Sequence, residues 1–432
     1  MPQHPAPFVL DPAARDADAE HELLRARGPA TRIDILGVEA WSVSDPALLK
    51  ELLTSPDVSK DARRHWPGFE EALQTWPLAL WVAATNMFTA YGGDHRRLRR
   101  IVAPAFSARR IAALKPAVDG VVEDLLDALE ATPPGEVADV RELFAYPLPI
   151  TVIGRLLGVP DDRAKEFRVL VNDVFATTLS PEEAAANTAQ LYGMLDALIA
   201  AKRAAPGEDM ASVLIALGGE GADGGQGGGG EGAGGAGLTE EELRDTLLLM
   251  INAGYETTGN LLDQAITALL SDPVQLAHIR EGRASWLDVV EETLRHSPPV
   301  KHLPLRFAVT DIPLPDGRTI AEGEAILASY AAANRHPGWH EDPHAFDVTR
   351  ITKEHLAFGH GIHFCLGAAL ARMEGEAALS AFFARFPDAE LAPEEGDMGL
   401  VPSLISNGHR SLPVRLRPRE DRSRAAGSTT PG

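Results

Sequence analysis

Apolar residues along this chain recur mostly at helical spacing, with a few short stretches of strand-like alternation. From residue 94 to about 300 the pattern is almost wholly helical, and it predicts helices over 111–131, 140–157, 166–175 and 182–204. Residues 31–43 alternate apolar and polar around a Gly turn, which predicts a β-hairpin. Asp45 followed by Pro46 predicts a capped helix over 45–53. A β-rich part follows at 307–327. Residues 403–416, turning at Asn407-Gly408, predict a second hairpin. The longest helix is expected over 243–270, after a capping box at Thr239 and Glu242. It would span roughly 42 Å at the helical rise. It is apolar nearly all round and is therefore expected to be buried.

Three segments lack such patterning. Residues 1–20 are rich in Pro and Ala and are expected to be loose. Residues 218–237 are mostly Gly, which predicts a flexible surface loop. The tail 417–432 is charged, then small and polar, and is expected to be disordered. The chain of 432 residues is long enough for several domains. Its one linker-like stretch reads as a loop inside a larger fold, so 21–416 is taken as one domain.

A hydrophobic content of 45% fits a globular protein with a large core. The net charge of −22 argues against nucleic acid as the main partner. Basic residues still cluster locally, from His95 to Arg100 and at Arg109-Arg110. That cluster is either a solvated helix face or a docking patch for an acidic partner. The first residues carry neither a basic leader region nor a long apolar run, so no signal peptide or membrane anchor is expected. Charged and polar residues interrupt the longer apolar stretches, which argues against a transmembrane span.

One cysteine stands in the whole chain, Cys365. It excludes an internal disulfide and any metal site built on several thiolates, and it fits a reducing cytoplasm. A buried structural thiol, a nucleophile and a single axial metal ligand remain open. Its surroundings favour the ligand: in Phe358-Gly-His-Gly-Ile-His-Phe-Cys-Leu-Gly367 the glycines leave room for a flat, bulky group close to the backbone. An Ala/Leu-rich helix is expected to begin just after it, and its unpaired amides would stabilise a thiolate.

In the middle of the long helix stands Ala253-Gly-Tyr-Glu-Thr-Thr258. Gly costs about 1 kcal/mol in a helix interior, and a buried Glu needs a partner. The threonine hydroxyls would bond back to carbonyls one turn earlier, or serve chemistry. Further on, Glu292 and Arg295 share one helix face at a spacing of three.

Residues 358–367, continued by Ala371-Arg372, resemble the haem-binding loop of the cytochrome P450 family, F-G-x-G-x-H-x-C-L-G followed by A-R. The resemblance implies a mainly α (α+β) fold: a single triangular domain with a long central helix and small peripheral sheets. It implies haem b, with Cys365 as the metal ligand and Phe358, Gly359 and Gly367 against the cofactor. Thiolate ligation favours cleavage of the O–O bond. Residues 253–258 resemble the family's oxygen-activating motif. Ala253 and Gly254 would then face the haem and dioxygen, Thr257 would hold oxygen and a water, and Glu256 would relay protons. His95 and Arg99 match the H-x-x-x-R pair that binds the haem carboxylates, and Arg306 and His363 match two further anchors. Glu292 and Arg295 match E-x-x-R, with a structural role. The later D-P-x-R-F segment reads Asp342-Pro-His-Ala-Phe346, so Ala345 stands where an Arg is usual, and His344 is the candidate substitute.

By the same resemblance the substrate cavity involves Trp81, Met87, Leu249, Ala253, Thr257, Val300, Leu303 and Ile405. This apolar lining suits a lipophilic small molecule such as a steroid, a macrolide or another natural product. The implied enzyme is a cytoplasmic monooxygenase, monomeric, using O2 and electrons from a ferredoxin and ferredoxin reductase, with NAD(P)H consumed only indirectly. Those partners would dock near Arg96, Arg100 and Arg372. The rival readings are a peroxide-dependent or oxidative-coupling haem enzyme and a non-catalytic haem sensor; a cysteine hydrolase is more remote.

Overall fold

The protein is described from a computed structural model, which covers residues 6–159, 164–219 and 237–417. The tail after 417 and nearly all of the Gly-rich loop lie outside the described residues.

The Glu240–Ser271 helix runs through the middle of the fold. Thr239 and Glu242 cap it reciprocally, as the sequence predicts. It begins before residue 243 because its first turn, Glu240, Glu241 and Glu242, is acidic. Carboxylates stabilise the positive end of a helix but carry no apolar signal. At 32 residues it is about 48 Å long. The helices Pro147–Leu157, Trp286–His296 and Ala368–Arg385 pack against it, and the main hydrophobic core forms around these contacts.

The strands gather at the periphery. The predicted hairpin forms from β2 (Ala30–Ile35) and β3 (Val38–Val43). It joins β1 (Phe8–Val9), β4 (Val58–Ser59), β6 (Leu303–Ala308) and β9 (Ala325–Ala328) in a six-stranded sheet of order β1-β2-β3-β9-β6-β4. β3 and β9 run parallel, whereas β6 is antiparallel to both β9 and β4. A smaller apolar cluster fills the space between this sheet and the Pro46–Thr54 helix. The strands β5 (Val137–Asp139), β10 (Glu390–Leu391) and β11 (Pro413–Arg415) form a second sheet, and β7 (Ile312–Pro313) with β8 (Thr319–Ile320) a third.

Three expectations change. Residues 6–20 are not loose: β1 pairs with β2, and a helix starts at Ala17, capped by Asp16. Arg25 holds this helix to the body through the Ala332 carbonyl at 3.0 Å. The helix expected over 140–157 is broken at Tyr146, where a wide turn over Arg141–Ala145 gives way to Pro147–Leu157. Prolines suit a first helical turn and disrupt a helix interior. The hairpin expected over 403–416 does not form. Ser406 bridges Val300, His409 bridges Leu400, and β11 pairs with β10 and β5. Asn407-Gly408 serves close approach instead: a Cβ on Gly408 would lie 2.0 Å from Asn260 Oδ1 of the central helix.

Candidate active site

The loop before the Ala368–Arg385 helix sets the position of Cys365. Gly361 has φ of +72°, and a Cβ there would lie 2.5 Å from the Leu53 carbonyl oxygen. Only glycine therefore lets the loop close against the Pro46–Thr54 helix. The Cys365 amide donates to the Phe358 carbonyl at 2.9 Å, folding the loop back on itself. The thiol opens onto an internal cavity, and protein atoms otherwise enclose it. Burial pushes its pKa up. The amides of Gly367 and Ala368, with Arg99 and Arg372, act in the opposite direction and favour the thiolate.

Cys365, Phe358, Gly359 and Gly367 line one wall of this cavity, and Ala253, Gly254 and Thr257 of the central helix line the other. The Thr257 hydroxyl donates to the Ala253 carbonyl at 2.6 Å. Gly254 also serves packing, because a Cβ there would meet Ile153 at 3.2 Å. Met87, Leu249, Val300 and Leu303 contribute apolar surface. Trp81 and Ile405 are not on the lining. The Trp81 indole donates to the Val174 carbonyl at 3.0 Å and stacks edge-on with Phe88 and Phe175. Ile405 is fully buried, and its carbonyl accepts from the Lys301 amide.

Glu256 is not on the lining either. Consecutive helical residues point about 100° apart, so Thr257 and Glu256 cannot share a direction. The Glu256 carboxylate is buried behind the helix. Its Oε1 accepts from Ser406 Oγ, Tyr146 Oη (3.1 Å) and Asn260 Nδ2 (3.1 Å), while its Oε2 has no partner. Arg141 donates in turn to Tyr146 Oη.

The remaining side of the cavity is cationic. Arg99, Arg306 and His363 line it, and the His95 ring lies 4.2 Å from that of His363. Arg99 donates to the Phe364 carbonyl at 2.7 Å. Both ring nitrogens of His95 and Nη1 of Arg306 are buried with no hydrogen-bond partner. Burial, with Arg99 and Arg96 nearby, lowers the His95 pKa to about 4, so its ring is neutral at pH 7. Burial likewise drives His363 strongly toward the neutral form.

Among the further lining residues missed in the sequence, two carry an amino or carboxyl group. Lys60 is one, and Glu374 is the other: a carboxyl on the Ala368–Arg385 helix whose pKa burial pushes up to about 8.

Below the cavity, Arg295 grips Glu292 through Nε (2.8 Å) and Nη2 (2.7 Å), with both side chains fully buried. Arg295 also donates to the carbonyls of Pro343 and Ala345. Arg350 joins this pair, with its Nε 3.5 Å from Glu292 Oε1. His344 does not fill the place of the missing Arg at Ala345: its ring faces outward to Glu22 at 3.1 Å. A guanidinium five residues further along reaches the carboxylate that the imidazole does not.

An apolar slot with a thiol on one wall, and with two arginines and unpartnered buried nitrogens of His95 and Arg306 at one edge, fits a flat, amphipathic dianion. Haem has that form: an apolar ring with two carboxylates on one side. Comparisons with known proteins agree. A family model described as cytochrome P450 matches residues 287–398. The chain is 38% identical over 417 residues to the 2-hydroxy-5-methyl-1-naphthoate 7-hydroxylase of Streptomyces carzinostaticus, covering 96% of this chain and 98% of the relative. It is 39% identical to the cytochrome P450 monooxygenase PikC of Streptomyces venezuelae, over 98% of this chain and 97% of the relative. Among solved structures, CYP154A1 from Streptomyces coelicolor A3(2) superposes with a TM-score of 0.90 at 63% identity, covering 95% of this chain and 100% of that one. The chain belongs to the cytochrome P450 family, whose cofactor is haem, and it is a monooxygenase.

Proposed function

We propose that this monooxygenase hydroxylates a lipophilic small molecule, such as a steroid, a macrolide or another natural product. One oxygen atom of O2 enters a C–H bond, and the other leaves as water with two protons and two electrons. The observation that carries this reading is the shared cavity of Cys365 and Thr257, apolar where substrate would sit and cationic at one edge. Relatives support the substrate class: their names specify a naphthoate and 6-deoxyerythronolide B, and a related structure holds a bound steroid.

Bound haem b supplies dioxygen binding and the oxidising power for insertion. Cys365 would be its axial ligand, and His95, Arg99, Arg306 and His363 would hold its carboxylates. The Thr257 hydroxyl, whose proton goes to the Ala253 carbonyl, would accept from a water next to the central helix. Glu256 serves as a proton store behind that helix, with Oε2 free to accept and Tyr146 and Ser406 holding Oε1. Apolar walls keep bulk water from the reacting C–H bond.

Electrons come from a ferredoxin and its NAD(P)H-dependent reductase, docking at exposed Arg96 and Arg100. Arg372 is less available, because it pairs with Glu291 at 2.5 Å and lies over the Phe358 ring. Among the described residues no helix is long and apolar enough to cross a membrane. The proposed setting is the cytoplasm, and the proposed working unit a monomer.

The test is the absorption spectrum of the reduced, carbon monoxide-bound protein, together with turnover. A red-shifted thiolate band that disappears in Cys365→Ser along with hydroxylation is the expected result. An unchanged band in that variant would overturn the assignment. Turnover with peroxide alone, and none with redox partners, would favour the peroxide-dependent reading.

A further inference from the structure

The cationic edge of the cavity holds more positive charge than the family motifs account for. Lys60 directly follows Ser59 of β4, whose antiparallel partner on β6 is Phe307. Continuing that register sets Lys60 next to Arg306. The two side chains are only 2% and 4% exposed, and both line the cavity. The Lys60 ammonium donates to the Pro304 carbonyl at 3.2 Å and lies 3.4 Å from the centre of the Phe88 ring. An ammonium has three donors, so two remain.

Among the described residues no carboxylate pairs with these charges. Among the described residues, Lys60 meets a carbonyl and a ring, Arg99 meets a carbonyl, and Arg306 keeps an unpartnered nitrogen. Asp61, next to Lys60 in sequence, turns away to cap the following short helix at the Arg64 amide and to pair with the Arg64 side chain. A buried cation without a counter-ion is strongly unfavourable. Lys60 and Arg306 are two such cations, and with the half-buried Arg99 at the same end of the cavity they mark a site for more than one negative charge.

We propose that Lys60 pairs with a carboxylate inside this cavity, first of all a propionate of haem, where it adds a third full charge to Arg99 and Arg306. This rests on the haem-site reading above. The neighbouring His95 and His363 are neutral donors and add no charge. Two propionates therefore leave one cation over, and a carboxylate-bearing substrate is the second source of the same chemistry. The groups facing Lys60 are Arg306 from β6, Arg99 and His363 across the cavity, and the Phe88 ring. Burial, reinforced by Arg306, drives the side chain toward the neutral amine while no carboxylate is present. Pairing restores the charge, so carboxylate binding brings a proton with it.

The experiment compares wild type with Lys60→Met. Haemin is titrated calorimetrically into each apoprotein in two buffers of different ionisation heat, which counts the protons taken up. Haem loss from each holoprotein to a scavenging apoglobin is then timed. Wild type is expected to take up more protons per haem than the variant, and the variant to lose haem at least roughly tenfold faster. If proton counts and loss rates coincide, 1-naphthoate distinguishes the second source. Its spin-state titration would then weaken about tenfold in Lys60→Met, with 1-naphthol unaffected. Equal proton uptake, equal haem loss and equal 1-naphthoate binding overturn the proposal. Lys60→Gln serves if the methionine variant does not fold. A wild type lacking the thiolate band contradicts the haem-site reading, whereas the difference between wild type and variant addresses Lys60.

Discussion

Replacing Arg350 by methionine probes the charge cluster beneath the cavity. Glu292 has no exposure and accepts from Arg295 Nε and Nη2, from the Asp347 amide at 2.8 Å, and faces Arg350 Nε at 3.5 Å. At that distance and an effective dielectric of about 20, the attraction between Arg350 and Glu292 is about 5 kcal/mol before desolvation and repulsion from Arg295 are subtracted. The Arg350 side chain is 13% exposed, so it keeps little hydration to fall back on. It also donates to the carbonyls of Glu341 and Asp342. A net loss of about 2–3 kcal/mol is expected for Arg350→Met, or roughly 30- to 150-fold in the folding equilibrium. His344→Ala removes only an exposed pair with Glu22 and should stay within about 0.5 kcal/mol. Urea unfolding followed by circular dichroism, with equal slopes, reads both. A double-mutant cycle with Glu292→Gln isolates the pairwise part. The reasoning fails if His344→Ala costs as much as Arg350→Met, or if Arg350→Met is silent.

Two further outcomes follow from the cavity and its rim. Glu374 has its pKa raised to about 8 by burial. In the apoprotein its contribution is full below the unfolded carboxyl pKa and is lost as pH rises through about 8. Glu374→Gln should therefore remove up to about 1.4 kcal/mol per pH unit of slope between those limits; identical stability–pH curves would refute this. Charge reversal at Arg96 and Arg100 should slow reduction by the redox partner roughly tenfold at low salt, with the difference shrinking at high salt and haem content unchanged. Unaltered reduction kinetics would remove the docking patch.

The parts legible in the sequence were those whose physics is local. Asp45-Pro46, the capping pair Thr239 and Glu242, and the alternation through β2 and β3 each depend on a few neighbouring residues, and each forms as expected. The glycines around Cys365 signalled a close approach for the same reason. What depends on register or on a second helix was not legible. Glu256 and Thr257 are adjacent, and only the packing of Tyr146 and Ser406 decides which of them turns from the cavity. Asn407-Gly408 carries the signal of a turn, but Asn260 on the central helix uses the glycine instead. Lys60 directly precedes the N-cap Asp61 and belongs to no motif. Only the pairing of β4 with β6 brings it beside Arg306. Arg350 was overlooked because the family pattern directs attention to position 345.

The six-stranded sheet has a consequence for how the protein is made. β3 pairs in parallel with β9, Ala40 with Ala325, and β4 pairs with β6, Val58 with Ala308. On the ribosome the amino-terminal hairpin and Lys60 emerge long before the strands that complete their sheet, and a chain translated from one end cannot close such contacts early. Arg306, His363 and Cys365 all lie in the last third of the chain. The proposed set of haem contacts would therefore be complete only after Cys365 has been synthesised, and a Soret band would report that the two ends of the chain have met.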